Sequence, residues 1–115
     1  MVTLFGIKNC DKMKKARKFF EANQVEHHLH DYRQDGLTED WLSLLVDHID
    51  WAQLINKRST TWKQLTDPEK ASAEQFTPIS AALIIQHPTL LKRPIINIDN
   101  HWVVGYDENQ WLKYF

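Results

Sequence analysis

Apolar and polar residues recur along the chain at spacings that predict an ordered series of strands and helices. Val2 to Phe5 is a short β-rich run, and the stretch from Asp11 to Asn23 places apolar side chains at helical spacing. From Val25 to Asp31 the residues follow a period of two, which favours a second strand, and Asp35-Gly36 follows as a turn. The first part of the chain therefore predicts a strand, a helix and a second strand.

A second helix is expected after Thr38, whose hydroxyl can cap it. The apolar face predicted for this helix consists of Trp41, Leu44, Leu45, His48 and Ile49. The stretch 50–76 is less periodic and more polar, and Pro68 interrupts it. Short helices and loops are therefore expected between the second helix and the last third of the chain.

The last third of the chain predicts a helix, a hairpin and a final helix. Ile79 to Gln86 indicates a well-buried helix that ends before Pro88, since proline disfavours helical geometry in the residue before it. Ile95 to Ile98 and Trp102 to Val104 are β-rich runs joined by a short turn. Asp107 marks the start of the last helix. The whole order predicts an α/β fold with a mixed sheet and helices packed on its faces, which is the thioredoxin-like arrangement.

Composition and charge narrow the class of protein. The chain has 115 residues, 43% of them hydrophobic and 25% charged, which is typical of one globular domain and not of a disordered chain. A net charge of -1 removes the basic field that non-specific nucleic-acid binding needs, so no nucleic-acid partner is expected. The start lacks a signal-peptide pattern, and no apolar run approaches the ~20 residues of a membrane span. We expect a soluble, cytoplasmic protein with no membrane partner.

Cys10 is the candidate nucleophile. It is the only cysteine, which excludes an internal disulfide and a Cys-rich zinc site. It lies where the first helix is expected to begin, and unpaired backbone N–H groups and basic residues around it lower a thiol pKa from about 8.5 toward about 3.5 to 7.5. A small buried cysteine is the alternative interpretation. The polar run from Lys8 to Lys12 is poorly suited to a core segment and favours a reactive thiolate.

Several motifs resemble those of the arsenate reductase (ArsC) family, which also contains the Spx regulators and the YffB-like proteins. They are the loop GIKNCD at 6–11, KRST at 57–60 and, most specifically, HPTLLKRPII at 87–96. The YffB-like proteins are the nearest match, through the opening from Met1 to Arg17, DYR and DGL within 31–37, and TTW at 60–62. The resemblance covers nearly the whole chain in the same order.

This resemblance implies a thioredoxin-like fold with a mixed four-stranded sheet, in one domain over 1–115 with a helical insertion at about 38–88. It implies a nucleophilic cysteine at the first helix, which is Cys10 here, opposite a proline in cis. Arg58 and Arg93 match two arginines that bind oxyanions around the cysteine in arsenate reductases. A guanidinium suits both an anionic ligand and the thiolate. The candidate thiolate-stabilising, anion-binding or glutathione-binding residues are Lys8, Asn9, Lys12, Arg58, Arg93 and Pro94.

Two departures from the arsenate reductase pattern affect the expected activity. This chain has Gly6 where those enzymes carry a histidine and Gly105 where they carry a third arginine. The Cys-x-x-Cys switch of many Spx regulators cannot form, since Met13 stands where the second cysteine of that motif would be. Oxidised Cys10 therefore needs an external thiol. We expect a thiol oxidoreductase with glutathione as co-substrate.

We expect no bound cofactor. His27, His28 and His30 lack a further ligand at a recognisable metal-binding spacing, so no metal is expected. Glutaredoxin or a protein disulfide is a further expected partner, and the chain is expected to act as a monomer. The alternatives are an arsenate reductase linked to glutathione and glutaredoxin, and a non-catalytic Spx-like adaptor that binds RNA polymerase.

Overall fold

A computed structural model describes residues 1–115 and contains four strands and seven α-helices. The strands are β1 (Val2–Gly6), β2 (His27–Asp31), β3 (Ile95–Ile98) and β4 (His101–Val104). The helices are α1 (Asp11–Ala22), α2 (Glu39–Val46), α3 (Trp51–Leu54), α4 (Thr60–Gln64), α5 (Asp67–Ser72), α6 (Pro78–Gln86) and α7 (Glu108–Leu112). The predicted order of strands and helices is confirmed, including the short helices between 50 and 76.

The strands form one mixed sheet in the order β2-β1-β3-β4. The two strands that flank α1 pair in parallel, with Gly6 opposite Asp31 at their C-terminal ends. Strand β3 is antiparallel to both β1 and β4. This sheet with its flanking helices is the thioredoxin-like arrangement predicted from the sequence. Its topology brings the ends of β1 and β2 together beside the start of α1.

One face of the sheet forms a hydrophobic core with α1 and α7. Helix α1 contributes Met13, Ala16 and Phe20, which recur at helical spacing and are fully buried, and α7 contributes Trp111. The strands contribute Val2, Leu4, Ile96, Ile98 and Val103. This packing holds α1 against β1, and so fixes the position of the first helical turn.

Local signals set the turn and the cap at the C-terminal end. Asp99 and Asn100 join β3 to β4 with positive φ angles of 48° and 71°, the backbone form that Asn and Asp tolerate best in tight hairpins. The Asp107 side chain accepts a hydrogen bond from the backbone N–H of Gln110 at 3.1 Å and caps α7. The predicted hairpin and the predicted start of the last helix are both confirmed.

Two helix predictions need correction. Helix α2 ends at Val46, so His48 lies beyond it and is exposed, while Leu44 is 46% exposed. Within α2 the buried positions are Leu42 and Leu45, and Ile49, which lies beyond the helix, is buried as predicted. The predicted face was wrong in part because it treated the turn after the helix as helical. Helix α6 has the predicted position but is only partly buried, with Ile79 71% exposed. The apolar residues of this helix lie on all of its sides, but only part of its surface packs against α2 and its other neighbours.

The chain divides into two compact units. One comprises residues 1–35 and 93–115 and contains the sheet, α1 and α7, and the other comprises residues 36–92 and is helical. The assignment of 1–115 to a single domain with an insertion at about 38–88 stays a prediction. None of the helices is long and apolar enough to cross a membrane.

Candidate active site

Cys10 occupies the N-cap position of α1. Its backbone N–H donates to the carbonyl of Ile7 at 3.0 Å, which closes a turn after β1, and its own carbonyl accepts the first helical hydrogen bond from Lys14 at 3.1 Å. The Cys10 backbone is extended, with φ -76° and ψ 136°. The side chain is half-buried and packs against the core. Serine, threonine, aspartate and asparagine are the usual caps, and here a thiol takes their place without forming a cap hydrogen bond.

The surroundings of Cys10 lower its pKa. Partial burial raises the pKa, but a hydrogen bond from the Arg93 side chain, the backbone N–H groups of Lys12 and Met13, and the Arg93 charge outweigh it. Each of these three residues stabilises the thiolate and not the thiol. Cys10 therefore carries more thiolate near neutral pH than an ordinary cysteine does.

The lysines around Cys10 act differently from what the sequence indicates. The side chains of Lys8 and Lys12 are exposed to solvent, as is that of Asn9. Lys12 stabilises the thiolate through its backbone N–H, and the main cation beside Cys10 is Arg93. The expected lowering of the Cys10 pKa by helix-start N–H groups and basic surroundings comes here from the backbone of Lys12 and Met13 and from the Arg93 side chain. The helix start and one distant arginine take that role, because solvent screens charges at the ends of exposed side chains.

Arg93 and Pro94 lie immediately before β3 and belong to the site. The peptide bond that joins them is cis, as the resemblance implies, and Pro94 is buried while Arg93 is half-buried. In the structure the Pro94 carbonyl already accepts the N–H of Gly105 at 2.8 Å. The Pro94 carbonyl is therefore occupied within the fold.

Tyr32 is a buried neighbour of Arg93 that the sequence analysis did not assign to the site. It follows β2 directly, and its backbone N–H donates to the carbonyl of Gly6 at 2.8 Å. Burial raises the pKa of Tyr32, although the positive charge of Arg93 opposes this rise. The Tyr32 phenol therefore stays neutral beside the guanidinium. It does not compete with the Cys10 thiolate for the positive charge of Arg93.

Arg58 belongs to the helical unit 36–92. It lies in the loop before α4, its side chain is exposed, and its backbone N–H donates to the Asn56 side-chain oxygen at 3.2 Å. The structure therefore places Cys10, the backbone of Lys12, Arg93 and Pro94 within the sheet unit. A role for Arg58 at the site stays a prediction.

Asp31 is a second residue that the sequence analysis did not assign to the site. It ends β2 and is only 5% exposed. One carboxylate oxygen accepts the backbone N–H of Lys8 at 3.0 Å, and the other accepts those of Arg33 and Gln34 at 2.7 and 3.2 Å. Burial raises the Asp31 pKa, but these hydrogen bonds and the Arg33 charge lower it by more than burial raises it, so Asp31 is ionised. An aspartate that ends a strand just before a turn was the available signal.

Side-chain packing at one position and backbone conformation at the other explain the two glycines that replace cations in the arsenate reductase pattern. A Cβ added at Gly6 would lie 2.9 Å from Cε of Met13 and closer still to its Sδ. Met13 is fully buried, so it has little room to move away. Gly105 has open space around it but a φ of +85°, which strains any L side chain. Both positions therefore disfavour a large charged side chain for reasons of local structure.

The histidines of β2 lie along an edge strand. His28 is exposed, whereas His27 and His30 are half-buried. His27 hydrogen-bonds through Nδ1 to the carbonyl of Val25 at 3.0 Å, and the ring of His30 lies 5.2 Å from that of Phe5. No group of three or more His, Cys, Asp or Glu in the chain is arranged to hold a metal ion.

The match to known protein families covers the site and almost the whole chain. The sequence model of the ArsC family matches residues 5–114 of the chain. The chain belongs to the ArsC family. A Haemophilus influenzae member, named as an uncharacterized protein, is 43% identical over 115 residues, which is 100% of this chain and 99% of that one. The global transcriptional regulator Spx 2 of Bacillus anthracis is 27% identical over 117 residues, covering 99% of this chain and 86% of the regulator.

Solved structures of ArsC relatives share the fold. The YFFB protein superposes with a TM-score of 0.88 at 27% identity, covering 99% of this chain and 98% of that one. An arsenate reductase (ArsC) related protein from Brucella melitensis gives a TM-score of 0.75 at 33% identity, covering 99% and 93%. The chain is thus similar both to a protein named as related to arsenate reductase and to a protein named as an Spx regulator. The predicted resemblance, including its YffB-like character, is confirmed.

Proposed function

We propose that this ArsC-family protein is a glutathione-dependent thiol oxidoreductase in which Cys10 is the nucleophile. The observation that carries the proposal is the position of Cys10 at the start of α1, where the Arg93 side chain and the backbone N–H groups of Lys12 and Met13 lower its pKa. A thiolate attacks disulfide sulfur, whereas a thiol does not. A cysteine that only filled space in the core would need no such surroundings.

The proposed cycle has two exchange steps. The Cys10 thiolate attacks the glutathione sulfur of a mixed disulfide, the disulfide bond breaks, and the substrate leaves as a thiolate that takes a proton from solvent. Cys10 is then joined to glutathione by a new disulfide. A second glutathione, as its thiolate, attacks the glutathione sulfur of this adduct, which releases oxidised glutathione and restores the Cys10 thiolate. Over the cycle the mixed disulfide is reduced, and one free glutathione thiol is oxidised, since the other half of the oxidised glutathione comes from the mixed disulfide.

The chemistry of the site suits a small anionic thiol as co-substrate. Arg93 is half-buried and able to bind a carboxylate through its planar guanidinium while it stabilises the thiolate. The exposed side chains of Lys8 and Lys12 add positive charge on the open side of the loop. Since Cys10 is the only cysteine, the resolving thiol has to come from outside the chain. We place this activity in the cytoplasm, where a single thiol stays reduced.

Arsenate reduction is a second candidate, favoured by the 33% identity to the arsenate reductase related protein from Brucella melitensis. An oxyanion loses hydration when it enters a site, and each missing cation leaves part of that loss unmatched. The packing of Met13 against Gly6 and the positive φ of Gly105 leave both of those positions without a charged side chain. We therefore rank disulfide exchange above arsenate reduction.

A regulatory function is the third candidate, favoured by the similarity to a protein named as a global transcriptional regulator. In this proposal the chain is a non-catalytic adaptor that binds RNA polymerase, as the resemblance to Spx regulators implies. Met13 at the fourth position of the Cys10 motif leaves no partner for an internal disulfide switch. An adaptor without a switch has no use for an activated thiolate, so the lowered pKa of Cys10 favours the enzyme.

Turnover assays on the same purified protein separate these functions. The protein is supplied with glutathione and either a small mixed disulfide of glutathione or arsenate with glutaredoxin, and Cys10→Ser is the control. We expect glutathione-dependent reduction of the mixed disulfide that disappears in Cys10→Ser, and little reduction of arsenate. Efficient arsenate reduction would establish the second candidate instead. Activity with neither substrate would favour the regulator.

A further inference from the structure

Asp31 links two segments that are distant in sequence. Its Oδ2 accepts the N–H of Lys8, which lies 23 residues earlier, at 3.0 Å. Its Oδ1 holds the turn that follows β2, through the N–H groups of Arg33 and Gln34. The bonds to Arg33 and Gln34 are those of an ordinary turn after an aspartate. The bond to Lys8 is different, because it ties the end of β2 to the loop that carries Cys10.

Lys8 lies inside the turn that presents Cys10. The Ile7 carbonyl accepts the N–H of Cys10 at 3.0 Å, so the residues from Ile7 to Cys10 form one hydrogen-bonded turn. The side chains of Lys8 and Asn9 are exposed. The Asp31 carboxylate therefore holds this turn from its buried side, two residues before the thiol.

We propose that Asp31 is a positioning residue for the Cys10 thiolate. Its carboxylate fixes the turn from Ile7 to Cys10 so that Sγ lies within reach of Arg93 and of the first N–H groups of α1. This inference rests on the proposed function for the role of Cys10 as nucleophile. Asp31 acts on the thiol only through the backbone N–H of Lys8.

Replacement by asparagine separates positioning from charge. In Asp31→Asn the single carbonyl oxygen can serve the turn at Arg33 and Gln34 or the loop at Lys8, but not both, and the amide NH₂ cannot accept from the other side. Loss of a nearby negative charge would by itself lower the Cys10 pKa, since it removes repulsion of the thiolate. Loss of positioning would raise it. The two effects have opposite signs.

The test measures the Cys10 pKa from the alkylation rate as a function of pH. We expect Asp31→Asn to raise this pKa by about 0.5 to 1 unit, which leaves about threefold to tenfold less thiolate at a pH below it. Asp35→Asn is the matched control. Asp35 also accepts a backbone hydrogen bond, from the N–H of Asp31 at 2.8 Å, but its side chain is exposed and makes no hydrogen bond to the Cys10 loop. This control should leave the Cys10 pKa unchanged or slightly lower.

Two further measurements cover a loss of folding. Asp31→Glu keeps the charge and moves the carboxylate, so it should also raise the Cys10 pKa if Asp31→Asn does not fold. In the unmodified protein the Lys8 amide should exchange with solvent more slowly than an open loop amide does. A lower melting temperature with an unchanged or lowered Cys10 pKa in a folded Asp31 variant would overturn the inference, as would fast exchange at Lys8. These readouts need no glutathione, so they stand apart from a failure of the proposed function.

Discussion

Removal of the Arg93 side chain is the perturbation that should change Cys10 most. Arg93 stabilises the thiolate both by a hydrogen bond and by its charge, and no other side chain contributes as much. A hydrogen bond to a charged group is worth about 1.5 to 3 kcal/mol, and ~1.4 kcal/mol corresponds to one pKa unit. Cys10 is only partly buried, so solvent screens part of this effect. We expect Arg93→Ala to raise the Cys10 pKa by about one unit.

The assay is thiolate absorbance or alkylation rate as a function of pH, with Lys12→Ala as the control. That substitution also removes a cation near Cys10, but it keeps the backbone N–H through which Lys12 acts. We expect almost no change in the pKa for Lys12→Ala and an intermediate change for Arg93→Lys, since an ammonium keeps the charge without the planar donors. Equal pKa shifts for Arg93→Ala and Lys12→Ala would refute the conclusion that Arg93 is the side chain that stabilises the Cys10 thiolate.

Two further predictions concern stability, measured by urea unfolding under reducing conditions. Because folding lowers the Cys10 pKa, the thiolate stabilises the fold above the unfolded thiol pKa, and this advantage over Cys10→Ser should disappear as pH falls through the folded pKa. A difference that grows as pH falls would contradict the direction of the shift. Gly6→Ala should lower the free energy of unfolding by about 1 to 3 kcal/mol through overpacking against Met13, and by less in a Met13→Ala background.

Much of the fold follows from local patterns in the sequence. Helical spacing of Met13, Ala16 and Phe20 identifies α1 and its buried face, and turn residues identify the hairpin at Asp99 and Asn100. Periodicity was less informative for α2 and α6. Apolar residues continue past the end of α2, and in α6 they lie on all sides of the helix. Spacing alone therefore does not show which apolar residues are buried.

The site was only partly predictable for a physical reason. Cys10 could be found from its place at a helix start, and Arg93 from the motif around it. The contributions of Asp31 and Tyr32 depend on the parallel pairing of β1 with β2, which brings the end of β2 beside the Cys10 loop. Such contacts between distant residues leave no periodic signal in one sequence. The sequence also shows the charges of Lys8 and Lys12 but not that their side chains are exposed to solvent.

Intact-mass analysis after exposure to oxidised glutathione tests the central claim most directly. The Cys10 thiolate should attack oxidised glutathione and gain one glutathionyl group, and added reduced glutathione should remove it. The adduct should be absent in Cys10→Ser and should form more slowly in Arg93→Ala at neutral pH, because less thiolate is present. An unmodified protein at pH values where Cys10 is ionised would contradict the account, as would an adduct that reduced glutathione cannot release.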